Sequence, residues 1–157
     1  MDANADTGHD PVSSRPRLLI ADDDGTVQAV LHRQLAEHFD IVGSAFDADE
    51  AIALAAARRP DVAIIDVQMP GGGGVRAARE LSALDPRMAI VALSGDESDT
   101  IVRAMLQAGA ILYLRKGMGG PELVRGLRRA IAAQPGFMEQ FPSTDARRED
   151  PRLTRNH

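Results

Sequence analysis

Val62-Ala63-Ile64-Ile65, followed directly by Asp66, is the stretch that decides the fold class of this chain of 157 residues. All four residues before the aspartate are apolar, so no alternation separates a buried face from an exposed one. A strand that is apolar on both faces is typical of a parallel sheet covered by helices on both sides. The segment therefore predicts an α/β protein in which a charged side chain stands at the end of a buried strand.

Similar short apolar runs lie on either side of this stretch, and each is followed by a segment with helical spacing. The other predicted strands are Leu18–Ala21, Ile41–Val42, Met88–Leu93 and Ile111–Leu114. The predicted helices contain the apolar positions of Val27–Leu35, Ala48–Arg58, Val75–Leu81, Ile101–Ala108 and Pro121–Ala133. This alternation predicts a doubly wound, five-stranded parallel sheet with five helices.

Composition and charge exclude several classes of function. The chain has no cysteine, which excludes disulfides, zinc–thiolate sites, iron–sulfur clusters and thiol nucleophiles. It carries 23 Asp and Glu against 18 Lys and Arg, a net charge of −5, whereas a DNA-binding domain normally has a basic face. No apolar run approaches the roughly 20 residues that span a bilayer. We therefore expect a cytoplasmic protein with no membrane partner and no direct nucleic-acid binding.

The two ends of the chain differ from its middle. Residues 1–16 and 135–157 contain proline and mixed polar residues without apolar periodicity. They are predicted to be a flexible N-terminal arm and a flexible C-terminal tail around one domain over residues 17–134. The tail is too short for an output domain, so the sequence favours a stand-alone domain.

Polar side chains follow four of the five predicted strands. They are Asp22 and Asp23 after the first strand, Asp66 after the third, Ser94, which is followed by Gly95, after the fourth, and Lys116 after the fifth. In a doubly wound sheet the ligand site lies outside the carboxyl ends of the strands, so we expect these groups to converge. Taken singly, each has an ordinary alternative as a turn residue, a helix cap or a surface lysine.

Their chemistry together points to phosphoryl transfer. Three neighbouring carboxylates repel one another unless a cation lies among them, and an all-oxygen ligand set favours Mg²⁺. Lys116 is the only lysine among the 18 basic residues, which indicates a site that needs a compact ammonium. A phosphoryl group there would meet the metal, Lys116 and the Ser94 hydroxyl, and a facing carboxylate could act as the nucleophile.

These residues resemble the receiver domain of bacterial two-component response regulators. The likeness covers about residues 17–133 and implies a flavodoxin-like sheet with strand order 2-1-3-4-5. It is carried by four segments: Leu18-Leu19-Ile20-Ala21-Asp22-Asp23-Asp24, Pro60-Asp61-Val62-Ala63-Ile64-Ile65-Asp66-Val67-Gln68-Met69-Pro70, Leu93-Ser94-Gly95, and Ala108-Gly109-Ala110 leading to Tyr113-Leu114-Arg115-Lys116.

The resemblance implies a metal site around the phosphoacceptor. Asp66 is the expected phosphoacceptor. Asp23 and Asp66 are expected to ligate Mg²⁺ directly, Asp22 through water, and Gln68 through its backbone carbonyl.

The resemblance also implies a phosphoryl site and a switch. The Ser94 hydroxyl and the Gly95 amide are expected to bond phosphoryl oxygens, and Lys116 to pair with the phosphoryl group. Tyr113 matches an aromatic switch position that moves inward with Ser94, although a half-buried strand tyrosine is the ordinary alternative.

The implied function is a signalling switch rather than a turnover enzyme. The expected phosphodonor is a sensor histidine kinase or a phosphotransfer protein, and the expected output is an unknown downstream protein or a homodimer. The alternative is a truncated receiver of a DNA-binding transcription regulator. A phosphohydrolase is disfavoured because Gln68 stands where such enzymes need a second acid, and a flavin-binding module is disfavoured because Asp22–Asp24 would repel a phosphate. A degenerate receiver acting only as a scaffold is the remaining rival.

Overall fold

A computed structural model of the chain describes residues 15–95 and 98–134. Five strands alternate with five helices along these residues. They are β1 Arg17–Ala21, α1 Gly25–Leu35, β2 Asp40–Ala45, α2 Ala48–Arg58, β3 Val62–Asp66, α3 Gly73–Leu84, β4 Ala89–Ser94, α4 Asp99–Ala108, β5 Leu112–Arg115 and α5 Gly120–Ala132.

The strands form one parallel sheet in the order β2-β1-β3-β4-β5. This confirms the predicted doubly wound, flavodoxin-like architecture. In the register of the sheet, Asp66 stands opposite Leu93, and Ser94 stands opposite Arg115. The carboxyl ends of β3, β4 and β5 are therefore neighbours at one end of the sheet, which is where the sequence predicts the site.

The central strands are buried on both faces because both faces carry apolar side chains. Ile64 packs with the residues of α1 and α5, whereas Ala63 and Ile65 pack with those of α2, α3 and α4. The first face is filled largely by leucine and isoleucine, and the second contains many alanines. Small side chains allow helices to approach a sheet closely, so each face reaches dense packing in its own way.

Helix starts follow local capping chemistry. The Asp24 carboxylate accepts hydrogen bonds from Thr26 N at 2.8 Å and Val27 N at 3.4 Å, as expected for the N-cap of α1. Helix α3 begins after Gly72 without any side-chain cap.

Strand β2 is longer than the apolar pair that predicted it. It is an edge strand whose residues are mostly half-exposed, so most of its length carries no apolar pattern.

Almost all of the predicted arm and tail lie outside the described residues. Only residues 15 and 16 of the arm are described, and Arg15 Nη1 donates to Ala36 O at 3.0 Å. Within the described part of the chain, no helix combines the length and the apolar character needed to cross a bilayer.

Candidate phosphoryl-acceptor site

Three carboxylates meet at the carboxyl ends of β1 and β3. Oxygens of Asp22, Asp23 and Asp66 all lie within 4.8 Å of one another. Asp22 and Asp66 are buried, with 1% and 2% of their surface exposed, whereas Asp23 is exposed. The cluster therefore has a buried side within the protein and an open side toward solvent.

Lys116 provides the positive charge of the site. Its Nζ lies 3.2 Å from Asp22 Oδ2 and 3.2 Å from Asp66 Oδ2. The backbone N–H of Lys116 donates to Ser94 O at 3.0 Å, which fixes the start of the β5–α5 loop to the end of β4. Burial lowers the pKa of Lys116, but contacts with the two carboxylates outweigh it and hold the pKa above its usual range.

Asp66 is tuned by its surroundings. Burial and the neighbouring Asp22 carboxylate raise the pKa of Asp66 to about 6, although the Gln68 N–H and the Lys116 ammonium act in the opposite direction. The Gln68 N–H donates to Asp66 Oδ1 at 3.2 Å. At neutral pH Asp66 is therefore mostly ionised, but its charge is poorly solvated.

Asp22 is held more tightly than Asp66. Its Oδ1 accepts the Asp24 N–H at 2.9 Å, and its own N–H donates to Ala45 O at 2.9 Å. Its Oδ2 is buried and, among the described residues, accepts no hydrogen bond of ordinary geometry in spite of the nearby ammonium. A buried anionic oxygen with an unfilled acceptor position fits a further cation, as does the all-oxygen donor set of the cluster.

Glycines shape the loop that leaves Asp66. A Cβ at Gly74 would lie 2.3 Å from Asp66 O and 2.7 Å from Val67 Cα, so only glycine fits there. Gly71, Gly72 and Gly73 all have positive φ, a conformation that residues with side chains rarely adopt. The sequence shows the glycine run, but the contact between Gly74 and the acceptor strand depends on the fold.

Arg76 anchors the same loop from the first turns of α3. Its Nη1 donates to Gly71 O at 2.6 Å and lies 2.8 Å from Asp49 Oδ1 in α2. The Pro70 carbonyl also accepts the Ala48 N–H at 3.1 Å. Sequence reasoning missed Arg76 because its partners come from another helix and from a backbone carbonyl, neither of which produces a motif.

The groups expected on the β4 and β5 side are also at the same edge. Ser94 is 2% exposed, and Gly95 beside it is exposed. Tyr113 is half-buried in β5, where it stands opposite Ala92 and lines a surface groove of about 510 Å³ with Met118. The structure thus brings the predicted phosphoryl and metal residues to this end of the sheet, whereas Tyr113 lies within β5, beside Ala92 and before the level of Ser94. The roles assigned to all of them stay predictions.

The arrangement is suited to receiving an anionic group. Two buried carboxylates and one exposed carboxylate can hold a hard cation, and Lys116 can offset charge on an incoming phosphoryl group. The nucleophile would come from within the carboxylate cluster, because the site contains no thiol and no imidazole within the described residues.

Comparison with known proteins agrees with this geometry. Residues 18–128 match the family model described as the response regulator receiver domain. The response regulator GacA of Pseudomonas viridiflava is 38% identical over 120 residues, which are 75% of this chain and 56% of that protein. This chain thus spans little more than half the length of that curated relative.

Solved structures show the same fold. The response regulator domain of CheB from Thermotoga maritima has a TM-score of 0.71 and 27% identity, covering 77% of this chain and 99% of that one. A response regulator from Burkholderia pseudomallei, solved with a phosphorylated aspartic acid, a calcium ion and citrate, has a TM-score of 0.67 and 25% identity, covering 79% and 69%. With its sheet order, its acidic edge and these matches taken together, this chain belongs to the receiver domain family of two-component response regulators.

Proposed function

We propose that this chain takes a phosphoryl group onto Asp66 from a sensor histidine kinase or a phosphotransfer protein in a Mg²⁺-dependent step. The observation that carries the proposal is the convergence of three carboxylates within 4.8 Å, with the Lys116 ammonium 3.2 Å from two of them. Two buried carboxylates would not be expected beside a third and a lysine unless the cluster served binding or chemistry.

The transfer itself needs an ionised Asp66. One of its oxygens attacks phosphorus, and the bond from phosphorus to the donor breaks with its electron pair leaving on the donor imidazole. Lys116 and the Ser94 hydroxyl would stabilise negative charge on the phosphoryl oxygens, and the Gly95 N–H would donate to another. Ser94 and Gly95 support this role by their place at the end of β4, beside Asp66 in the sheet register.

The residues that would hold Mg²⁺ are Asp23 and Asp66 directly, Asp22 through water, and Gln68 through its carbonyl. The ion, when bound, supplies charge that offsets repulsion between the carboxylates and the phosphoryl group. Asp22 Oδ2 is buried and accepts no hydrogen bond of ordinary geometry among the described residues, which supports a cation at this place in addition to Lys116. The structural neighbour from Burkholderia pseudomallei contains a phosphorylated aspartate together with a divalent cation.

The proposed output is a change in the surface formed by α4, β5 and α5. Movement of Ser94 toward a phosphoryl group would make room for Tyr113 to turn inward and would shift the equilibrium between two states of this surface. The surface carries a groove, and Leu106 and Ile111 expose 49% and 40% of their area. Such apolar side chains suit a downstream protein or a second copy of this chain.

The experiment that tests this function is intact mass after incubation with acetyl phosphate and Mg²⁺. We expect one phosphoryl adduct on the wild type, none on Asp66→Ala and none when the divalent cation is chelated. Asp85→Ala is the matched control, because Asp85 lies between the end of α3 and the start of β4, at the amino end of the strand and not at its carboxyl end. A wild-type adduct that persists in Asp66→Ala would overturn the assignment of the acceptor.

The same protein should not turn over phosphate esters. Gln68 lies two residues after Asp66, with an exposed amide where a phosphohydrolase would need a general acid. We therefore expect no steady hydrolysis of a chromogenic phosphate ester, and hydrolysis that Asp66→Ala abolishes would favour an enzyme instead.

A second candidate is the receiver part of a DNA-binding transcription regulator. It is favoured by the length of the relative, of which this chain covers 56%. Sequencing the transcript beyond the codon for His157 distinguishes the two. A reading frame that continues into a helix-turn-helix domain supports the regulator, and a stop codon supports the stand-alone switch.

A further inference from the structure

Helix α1 carries a buried glutamine that neither the sequence motifs nor the proposed phosphoryl chemistry uses. Gln28 has 4% of its surface exposed. Its Nε2 lies 2.9 Å from Ala45 O, 3.3 Å from Ile20 O and 3.3 Å from Asp22 O. One amide group therefore connects α1 to the ends of both β1 and β2.

These contacts surround the backbone of Asp22. The Asp22 N–H donates to Ala45 O at 2.9 Å, and the same carbonyl accepts from Gln28 Nε2. The Asp22 carbonyl is in turn within reach of Gln28 Nε2. The two polar groups of the Asp22 backbone are thus both tied to the pair formed by Gln28 and Ala45.

The position of the Asp22 carboxylate depends on this backbone. On the side-chain end, Asp22 Oδ1 accepts the Asp24 N–H at 2.9 Å, while Oδ2 points toward Lys116 Nζ at 3.2 Å. Loss of the Gln28 amide would leave the Asp22 backbone carbonyl without this donor. The peptide would lose one of the hydrogen bonds that limit its rotation, and the carboxylate of the same residue would be held less firmly.

Gln28 also carries a cost that packing alone does not explain. Its Oε1 is buried and has no hydrogen-bond partner among the described residues. An unpaired buried oxygen destabilises a fold, and a methionine of equal length would avoid that cost. The amide is therefore more useful for the groups it holds than for the packing of α1.

We infer that Gln28 is a positioning residue that holds Asp22 in place for cation binding. The inference rests on the proposed function, because it names a residue that supports a carboxylate of the same acidic site. Gln28 does not ligate the ion; its N–H groups face backbone carbonyls and its effect passes through Asp22. Groups that orient ligands from outside typically change metal affinity by about 10- to 100-fold when they are removed.

The test compares Gln28→Met with Gln34→Met. Gln34 lies on the same helix, but its Nε2 donates to Met118 O at 3.4 Å and not to the backbone around Asp22. Mn²⁺, which takes the same oxygen ligands as Mg²⁺, is titrated into each protein and followed by electron paramagnetic resonance. We expect the dissociation constant for Mn²⁺ to be at least tenfold larger in Gln28→Met and to change by less than twofold in Gln34→Met. Both variants should unfold in a cooperative thermal transition.

A second readout follows the site without metal. The Asp24 amide reports on Asp22 Oδ1 in a ¹H–¹⁵N spectrum, and its resonance should move in Gln28→Met but not in Gln34→Met. Equal Mn²⁺ affinity of folded Gln28→Met and wild type would overturn the positioning role alone. No Mn²⁺ binding by the wild type would overturn both this role and the proposed metal step. If Gln28→Met does not fold, Gln28→Asn keeps the amide but withdraws it from the carbonyls, and wild-type affinity in that variant contradicts the inference.

Discussion

The ends of β3 and β4 are neighbours in the sheet, but their surroundings differ. Behind Asp66, the backbone of Gly74 approaches so closely that an added Cβ would lie 2.3 Å from Asp66 O. At Gly95, after Ser94, no atom of the described residues lies within 4 Å of the place where a Cβ would stand, apart from atoms of Gly95 and its chain neighbours. Among the described residues, one strand end is enclosed by backbone, and the other has room for a methyl group at Gly95.

This difference separates the two tasks that we propose for the site. A nucleophile must be held in line with the group it attacks, and misplacement by about 1 Å can cost about 100-fold in rate. A segment that responds to the new group must instead be able to move, which a packed environment prevents. Enclosure therefore suits Asp66, and the space found at Gly95 suits a strand end that has to move.

The largest effect on stability is expected from adding a methyl group at Gly74, behind the enclosed end of β3. Gly74→Ala places a methyl group against Asp66 O and Val67 Cα, both of which are backbone atoms that cannot rotate away. Overpacking of this kind typically costs 1–3 kcal/mol, so we expect a loss of about 3 kcal/mol in the free energy of unfolding. Because Asp66 must shift, phosphorylation by acetyl phosphate should slow by at least about tenfold in the fraction that remains folded.

Chemical denaturation and intact mass measure these two effects on one preparation. A Gly74→Ala protein with wild-type stability and wild-type phosphorylation would show that the enclosure of Asp66 is not needed. Stability loss without any change in the rate for folded protein would show that the contact serves the fold alone.

A smaller effect on the free energy of unfolding is expected from removing the charge of the Asp66 carboxylate. The pKa of Asp66 is raised from 3.8 to about 6 by burial and by the Asp22 carboxylate. The native state therefore binds a proton more tightly than the unfolded chain, so between about pH 4 and pH 6 this group makes stability fall as pH rises. Above pH 6 the whole unfavourable contribution is present.

Asp66→Asn should remove that contribution. A shift of two pKa units corresponds to an upper bound of about 3 kcal/mol, and solvent screening at the partly open site reduces the expected gain to about 1 kcal/mol. Without divalent cations the variant should be more stable than the wild type at pH 7.5, with the difference vanishing near pH 4. Added Mg²⁺ should stabilise the wild type preferentially, since a ligand of the native state stabilises it by mass action. A variant that is less stable at pH 7.5 would contradict the sign of this argument.

Sequence alone was sufficient for the features that local rules encode. Asp66 could be found because a charge directly after a doubly apolar strand is unusual, and Lys116 because it is the only lysine. Gln28 could not be found, because a glutamine in an amphipathic helix is expected to be solvent-exposed. Only the fold shows that the ends of β1 and β2 pack against it. The full length of β2 was missed for a related reason, since an edge strand half-exposed to solvent carries little apolar signal.

The smallest effect is expected at the open strand end. Gly95 is not among the described glycines with positive φ, and it has space for a methyl group. Gly95→Ala should therefore change the free energy of unfolding by less than about 0.5 kcal/mol. Phosphorylation should also be retained, because the alanine keeps the N–H that we propose to bind a phosphoryl oxygen.

Gly95→Pro sharpens the same comparison by deleting that N–H. Proline favours an extended residue before it, and Ser94 already lies in a strand, so the conformation of Ser94 is compatible with the ring. Phosphorylation should fall in Gly95→Pro and not in Gly95→Ala, with both proteins folded by circular dichroism. Equal rates in the two would remove Gly95 from the phosphoryl site, whereas a strong loss in Gly95→Ala would mean that the space beside Ser94 matters more than its donor. Since the same methyl group is expected to be costly at Gly74 and harmless at Gly95, the two alanine variants together measure how unequally the neighbouring strand ends are packed.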